Sequence, residues 1–450
     1  MTSHEAVRSF DRAYSSKAHR SSLPTEIWES IIDILDILLS VDIFRQIIHS
    51  RRHQALLKER RRSLRACCLV HPSWLPRSRL HLYRTVLLQI QAGQRSSNLR
   101  RFVTSIQSNP FNGHLVLEIS VQCYLDDGSF SLFPVHIPCL LPNLWRLHFV
   151  WQNVHDDGVH PTFWTGLSQF SSVRFLQLSS GVQLPTYGQY YHFMKALSPH
   201  VTSIEFDAED EVLPLDRREG VVAFSRLPKI SVPQLRLTVN TASLLPMYLA
   251  WFHPAISSLD ITLPWEPEDS DFRSLLNFVA ACGSQLQNLA LSRFTANDAN
   301  IDLVRSIGLL DFAPNCGLRS LKFHIYSELK APGILWGPIL NSLSLHRAIS
   351  LLKFHELDTL ALQIRVRSVG EGQLYPSGPG EDPQCDIIDS ILCSPLFRKA
   401  RVMQVGVWWA GPGRVKQQEL SEDTLRRLFP QFAKEKNANF APFFPGVSEM

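Results

Sequence analysis

The amino-acid sequence predicts an α/β fold, in which an N-terminal all-α unit precedes a solenoid with a parallel sheet on one side and helices on the other. Two observations carry this prediction. A helix-start signal opens a compact apolar segment, and a short apolar phrase then recurs through most of the remaining chain. The 450 residues exceed one ordinary core, and 45% hydrophobic residues indicate a folded protein rather than a disordered one.

The helix-start signal lies in the run Leu23-Pro24-Thr25-Glu26-Ile27. Proline fits the first turn, where the N–H that it lacks would be unpaired anyway, and Glu26 lies near the positive end of the helix dipole. Ile27, Ile31 and Leu35 recur every four residues and are expected to share one face. A second apolar set follows at Leu69, Val70, Trp74, Leu82 and Tyr83. A unit this small and apolar is expected to bury part of its surface on a partner.

A basic stretch interrupts the apolar pattern of this unit between residues 40 and 65. It contains Arg51-Arg52-His53 and the run from Lys58 to Arg62. A solvated amphipathic helix is the favoured interpretation, with Leu56 and Leu64 on its apolar side. A nuclear-targeting or anion-binding patch is the alternative.

The recurring phrase is apolar, two residues, apolar, one residue, apolar, and successive copies lie roughly 30 residues apart over much of the chain. An apolar pair at period two indicates a short strand buried on one face, and strands of this kind need stacked neighbours to form a core. Helices are expected between them, for example at 191–197, 272–281 and 387–392. The clear copies begin at Leu144, Val173, Val201, Ile256, Leu286, Leu318, Leu357 and Val402, and looser copies lie around Leu117 and Val232.

The predicted organisation has four parts. A disordered tail at 1–20 precedes the helical unit at 21–90, which includes the basic insert 40–65. An irregular solenoid then covers 91–435, and 436–450 form a C-terminal tail. Within the solenoid, the Gly/Pro-rich segment 368–383 is expected to be an inserted loop. A helix at 425–432 is expected to cover the last strand.

Both parts resemble known families. The pattern Leu23-Pro24-x-Glu26-Ile27, together with Leu69-Val70-x-x-x-Trp74, resembles the F-box. The wording from Trp74 to Arg79 is similar to the expanded F-box protein set of mushroom-forming basidiomycete fungi. The recurring phrase resembles the leucine-rich repeat in a degenerate form, because the usual buried asparagine after the last apolar position is missing.

The F-box resemblance implies the substrate-recognition subunit of an SCF-type (Skp1–cullin–F-box) ubiquitin ligase. Its expected partners are a Skp1-like adaptor, through it a cullin, and an unknown protein target. The implied adaptor-binding residues are Leu23, Pro24, Ile27, Ile31, Leu35, Leu69, Val70 and Trp74. The target-binding candidates lie between the last two apolar positions of the repeats, on the open face of the sheet: His148, Gln177, Glu205, Asp260 and Lys322.

No catalytic constellation, phosphate-binding glycine loop or metal-ligand motif stands out in the sequence, so the chain is interpreted as non-enzymatic and without cofactors or metals. No run is long and apolar enough to predict a membrane span. The 8 cysteines include no C-x-x-C pair, which fits a reducing compartment, cytoplasm and/or nucleus.

Two alternatives remain open from the sequence. The first is a solenoid scaffold for protein–protein interactions outside ubiquitin transfer, in which the helical unit is only a cap. The second is a nucleic-acid-associated protein that uses residues 51–65. The small net charge of +4 gives no reason to expect nucleic acid as the main partner.

Overall fold

The computed structural model describes most of the N-terminal two thirds of the chain and several strands beyond. The described residues are 24–39, 51–90, 98–123, 133–151, 161–179, 187–208, 228–239, 245–263, 269–295, 317–329, 359–368, 402–411, 414–418 and 439–440, with 393, 430, 431 and 434 as single positions. The predicted tail 1–20, the helix at 387–392, nearly all of the loop 368–383 and most of the helix at 425–432 lie outside these residues.

The described part of the helical unit contains α1 (Thr25–Leu39), α2 (Arg51–Val70) and α3 (Leu75–Arg84), with a 3-10 turn at Pro72–Trp74 before α3. α1 begins where the proline predicts, since the Ile27 N–H donates to the Pro24 carbonyl at 3.0 Å. The helices close around a small core of Ile32, Leu64 and Cys67.

The basic stretch is a structural part of this unit from residue 51 onward. It forms α2, which places Leu64 and Cys67 in the core and buries Arg60 beside them. The amphipathic-helix interpretation agrees with this packing, since Arg60, Leu64 and Cys67 face inward at a spacing of three or four residues, while Arg61, Arg62 and Arg65 face outward.

The described strands that follow form one sheet, and its first eleven strands are parallel and hydrogen-bonded in chain order. The strands are β1 (Thr85–Ile90), β2 (Glu118–Cys123), β3 (Arg146–Trp151), β4 (Phe175–Ser179), β5 (Ser203–Ala208), β6 (Gln234–Val239), β7 (Ser258–Thr262), β8 (Asn288–Thr295), β9 (Ser320–Leu329), β10 (Thr359–Ser368), β11 (Val402–Gly411), β12 (Arg414–Gln418) and β13 (Asn439–Phe440). Neighbours in space are therefore neighbours in sequence, as in a solenoid.

The recurring phrase sets the register of the sheet. Leu147 pairs with Leu176, which pairs with Ile204, so equivalent apolar positions of successive copies lie side by side. Leu289 and Leu321 continue the same row and are buried. The first apolar position, two residues before the strand, is also buried in the copies that begin at Leu144, Val173, Val201, Val232, Ile256, Leu286 and Leu318. The α/β solenoid and its predicted register are thus confirmed over these strands.

The sheet differs from the sequence-based prediction at both of its ends. The sheet begins at Thr85, inside the range 21–90 that was predicted to be all-α, because Val86 and Leu88 form a further period-two pair against β2. At the other end, Met403 rather than Val405 pairs with Leu360, so the phrase starting at Val402 is displaced by two residues.

Helices line the apolar side of the sheet: α4 (Asn98–Ser108), α5 (Pro110–Leu115), α6 (Phe133–His136), α7 (Pro161–Leu167), α8 (Tyr187–Leu197), α9 (Leu245–Trp251) and α10 (Asp269–Cys282). The predicted helices at 191–197 and 272–281 are α8 and α10. Aromatic rings fill the space between the layers, as where Phe149 meets Phe193 at 4.7 Å between ring centroids. Tyr248 bridges Phe206 and Trp251 in the same manner.

The C-terminal edge of the sheet is shared by two short strands. β12 folds back antiparallel along the second half of β11, and β13 pairs with its first two residues. Together they cover much of one edge of β11, which limits the unpaired backbone offered to another chain. None of the helices in the described ranges combines the length and apolar composition that a bilayer crossing requires.

Candidate functional site

An exposed apolar line runs along the outward side of α1. Ile27, Ile31 and Ile34 are 46%, 37% and 52% exposed, whereas Ile32 on the opposite side is buried in the core. The helix is therefore apolar on two sides, and only one of them is used within the unit. Exposed isoleucines at helical spacing are typical of a surface that another protein covers.

The end of the unit where α1 begins carries further apolar groups. Trp28 of α1 lies 4.4 Å from Trp74, measured between ring centroids, and this contact brings the start of α1 next to the end of α2. At that end Leu69 and Val70 are 88% and 63% exposed. The tryptophan pair thus connects two sets of exposed aliphatic side chains.

The predicted adaptor-binding residues divide into two groups in the structure. Pro24, Ile27, Ile31, Leu69 and Val70 are exposed, and Leu23 lies outside the described residues. Leu35 and Trp74 pack against the core instead, so they support the surface more than they form it. Ile34 was not among the predicted residues. Its spacing of three from Ile31 and seven from Ile27 is the signal that could have identified it.

An ionic network beneath this surface fixes α1 to the other two helices. Nε of Arg60 in α2 donates to Oδ1 of Asp36 at 2.6 Å, and Arg60 also reaches the His81 carbonyl. Arg77 of α3 makes a two-pronged contact with Asp33, at 2.7 and 2.5 Å. The ring of His81 lies between both aspartates, 2.8 Å from each. Two carboxylates of one helix are therefore held by three basic side chains.

The network moves the pKa values of its members in opposite directions. The hydrogen bond to Asp36, and then that to Asp33, raises the pKa of His81 despite its burial. The hydrogen bond from Arg77 lowers the pKa of Asp33 to about 2. Burial alone would raise the pKa of Asp36, but His81 and Arg60 lower it on balance. The charged forms of all these groups are thus mutually stabilised.

The polar face of the sheet carries the target-binding candidates in one row. Register joins His148 to Gln177 and Gln177 to Glu205, and the row continues through Arg236 and Asp260. After Ala290 it reaches Lys322. The prediction that these positions share a face is therefore correct in register.

The first strands of this row are not accessible. His148 is fully buried, with Nδ1 3.0 Å from the Ser120 hydroxyl and Nε2 2.7 Å from the Ser179 hydroxyl. Burial, followed by the charge of Arg146, lowers the pKa of His148 to about 3, so the ring is neutral. Gln177 is also buried and accepts a hydrogen bond from Arg146. The prediction that His148 and Gln177 contact a target is therefore corrected, because both side chains are buried and a partner cannot reach them in this structure.

The accessible part of the row lies on β5 to β9. Glu205, Asp260 and Lys322 are all partly exposed. Arg236 stands between the two acids, with Nε 2.6 Å from Asp260 and Nη1 3.8 Å from Glu205. Arg236 lies between the last two apolar positions of the looser copy that starts at Val232. It was not among the predicted residues because those came from the clear copies. The face therefore offers alternating charge to a partner.

Comparisons with known proteins do not add to the argument for the fold. No protein family and no curated protein matches the chain. Among solved structures, the leucine-rich repeat-containing protein LegL7 from Legionella pneumophila is similar, with 14% identity and a TM-score of 0.38. The match covers 77% of this chain and 98% of that one. The class of the protein, a leucine-rich-repeat-like α/β solenoid behind a helical unit, rests on the strand order and register described above.

Proposed function

We propose that this protein is the substrate-recognition subunit of an SCF-type ubiquitin ligase. In this proposal the helical unit docks on a Skp1-like adaptor, which connects it to a cullin, and the polar face of the sheet holds a protein target. The protein itself performs no chemistry, and it works in the cytoplasm and/or nucleus.

The observation that carries the proposal is the exposed line of Ile27, Ile31 and Ile34 on α1. This line lies within the segment whose residues resemble the F-box. The helix that bears it is held against the rest of the unit by the ion pairs of Asp33 with Arg77 and of Asp36 with Arg60. A rigid helix with an outward apolar side favours docking, because little conformational entropy is lost when a partner covers it.

The proposed mechanism is proximity. A target bound to the solenoid is held near a charged ubiquitin-conjugating enzyme, and the effective concentration of its lysines rises accordingly. The elongated sheet suits this role, since a wide and shallow face of mixed charge fits a protein surface better than a small molecule.

The test is direct binding of the full chain to a purified Skp1-type adaptor, measured by calorimetry. The variant Ile27→Ala/Ile31→Ala should weaken binding about tenfold or more, because truncating central apolar side chains removes most of the contact energy. Both side chains are exposed, so folding should be unchanged. Phe111→Ala is the matched control, since Phe111 is 63% exposed but lies in α5, outside the helical unit.

Trp74→Ala is a poorer test, because Trp74 packs against the core and its loss would also weaken folding. If the adaptor does not bind the folded wild-type chain, or binds the double variant equally well, the ubiquitin-ligase proposal is wrong. The chain would then be better described as a solenoid scaffold for other protein–protein interactions.

A further inference from the structure

The outward side of α2 carries a line of basic residues that ends in an exposed leucine. Lys58, Arg62, Arg65 and Leu69 are spaced four, three and four residues apart, so they follow one side of the helix. All four are exposed, and Leu69 at 88% is more exposed than any other large hydrophobic residue of the described chain. These four residues are called the α2 stripe below.

The α2 stripe lies opposite the side of the helix that the fold uses. Arg60, Leu64 and Cys67 are buried and are themselves spaced four and three residues apart. The core and the Asp36 ion pair therefore occupy one side of α2, and the α2 stripe occupies the other. Leu69, one of the residues predicted to bind the adaptor, lies in line with Arg62 and Arg65.

The α2 stripe contains three cations and no acid, and the exposed Glu59 beside it forms no ion pair with them. Among the described residues, Lys58, Arg62 and Arg65 make no ion pair. Lys58 and Arg62 are like charges at i,i+4, and Arg62 and Arg65 at i,i+3, which are spacings at which repulsion destabilises a helix. Arg60, by contrast, is neutralised by Asp36 in the core. A partner that supplies carboxylates along the stripe would relieve this repulsion.

We infer that the α2 stripe docks an acidic amphipathic helix of a partner protein. From Lys58 to Leu69 the stripe spans about 16 Å, at 1.5 Å per residue, so the complementary segment is about three turns long. Its carboxylates would meet Lys58, Arg62 and Arg65, and an apolar residue at its end would cover Leu69. The α2 stripe shares only Leu69 with the predicted adaptor-binding residues and includes none of the α1 isoleucines, so either proposal can fail alone.

Leu69 favours a protein over a nucleic acid as the occupant. A phosphate backbone would use the three cations, but it offers nothing to an aliphatic side chain that is almost fully exposed. Arg61 is exposed beside the stripe, but Arg60 of the same basic run is turned away into the core. An acidic helix matches both the charge and the apolar end.

The test is fluorescence anisotropy with the full chain and a labelled helical peptide of about five turns. Its glutamates and one leucine repeat the spacing of the α2 stripe. A peptide of the same composition in scrambled order, and a single-stranded oligodeoxynucleotide of similar length, serve as the other probes. The ordered peptide should bind at least about tenfold more tightly than the scrambled one, since several charge pairs and one apolar contact form together.

Two variants then locate the binding. Lys58→Glu/Arg62→Glu/Arg65→Glu should weaken binding of the ordered peptide about tenfold or more, and Leu69→Ala about fivefold. The control Arg84→Glu/Arg101→Glu/Arg319→Glu makes the same change in net charge at exposed positions outside the stripe and should have little effect.

Three results would overturn the inference. The ordered peptide could bind no better than the scrambled one, or both triple variants could weaken it equally, which would indicate nonspecific attraction. Alternatively, the oligodeoxynucleotide could bind at least as tightly with a steep salt dependence while Leu69→Ala has no effect. That result would make the stripe a nucleic-acid interface instead.

Discussion

Nδ1 of His81 lies 2.8 Å from Oδ2 of Asp36 and joins the third helix of the N-terminal unit to the first. The other ring nitrogen lies equally close to Asp33, so both N–H groups of a protonated ring would donate to carboxylates. Since α1 also bears the exposed isoleucines, the protonation state of one histidine bears on the helix that carries the proposed docking surface.

The stability of the helical unit should depend on pH through His81. Because the folded state raises the pKa of this histidine, its contribution is complete below the unfolded value of 6.5 and is lost as pH rises through the raised folded value. Thermal unfolding of the wild type against His81→Gln, followed by tryptophan fluorescence, should show a difference in stability that shrinks as pH rises above about 6.5. A difference that stays constant from acidic to alkaline pH would contradict this assignment.

On the acid side the relevant group is Asp33. Its folded pKa of about 2 lies below the ordinary value of 3.8, so its contribution to stability is complete above pH 3.8 and is lost as pH falls through about 2. In Arg77→Gln the pKa of Asp33 should move back toward its ordinary value, which NMR titration of the carboxyl carbon would measure. An unchanged Asp33 pKa in that variant would show that Arg77 is not the main cause.

The Asp36–Arg60 pair should be costly to break from one side. Both side chains are largely buried, so Asp36→Ala leaves the Arg60 charge without its partner and should cost about 3 kcal/mol or more of unfolding free energy. Denaturant unfolding measures this cost. The double variant Asp36→Leu/Arg60→Met removes both charges and is expected to recover most of it; failure to recover would show that the pair itself, rather than the orphaned charge, provides the stability.

The register of the sheet predicts which leucines are essential. Leu176→Ala or Leu289→Ala should each cost about 2–5 kcal/mol, because a cavity opens between the sheet and the helices. Lys322→Ala, on the polar face, should cost about 0.5 kcal/mol or less. Gln177 is no control for this comparison, since it is buried and bonded to Arg146. Equal losses at Leu289 and Lys322, measured by denaturant unfolding, would refute the assigned faces.

The charge row on β5 to β9 is expected to select the target. The triple variant Glu205→Lys/Asp260→Lys/Lys322→Glu reverses three charges and places a lysine on each side of Arg236, which removes the alternation. It should change which proteins are isolated with the chain by affinity purification and mass spectrometry. Adaptor binding should persist, because the helical unit is unaltered, and it serves as the internal control. An unaltered set of non-adaptor proteins would place the target site elsewhere, such as the loop 368–383 or the region of Trp408 and Trp409.

The sequence by itself determined the start of α1, the spacing of the solenoid strands and the residues that fill the core, such as Leu147, Leu176 and Leu289. These features follow from local chemistry and periodicity. Proline in the first turn and a following glutamate favour a helix start through local chemistry alone, and a period-two apolar pair can bury only one face of a strand.

Only the tertiary structure decided which polar groups meet and which are covered. Asp33 and Asp36 find Arg77, Arg60 and His81 across gaps of 24 to 48 residues, and no local pattern encodes such pairings. His148 shares its row with Asp260 yet is fully buried, because accessibility depends on what packs over a strand rather than on its alternation. Leu69 is likewise exposed on the α2 stripe because the opposite side of the helix packs into the core.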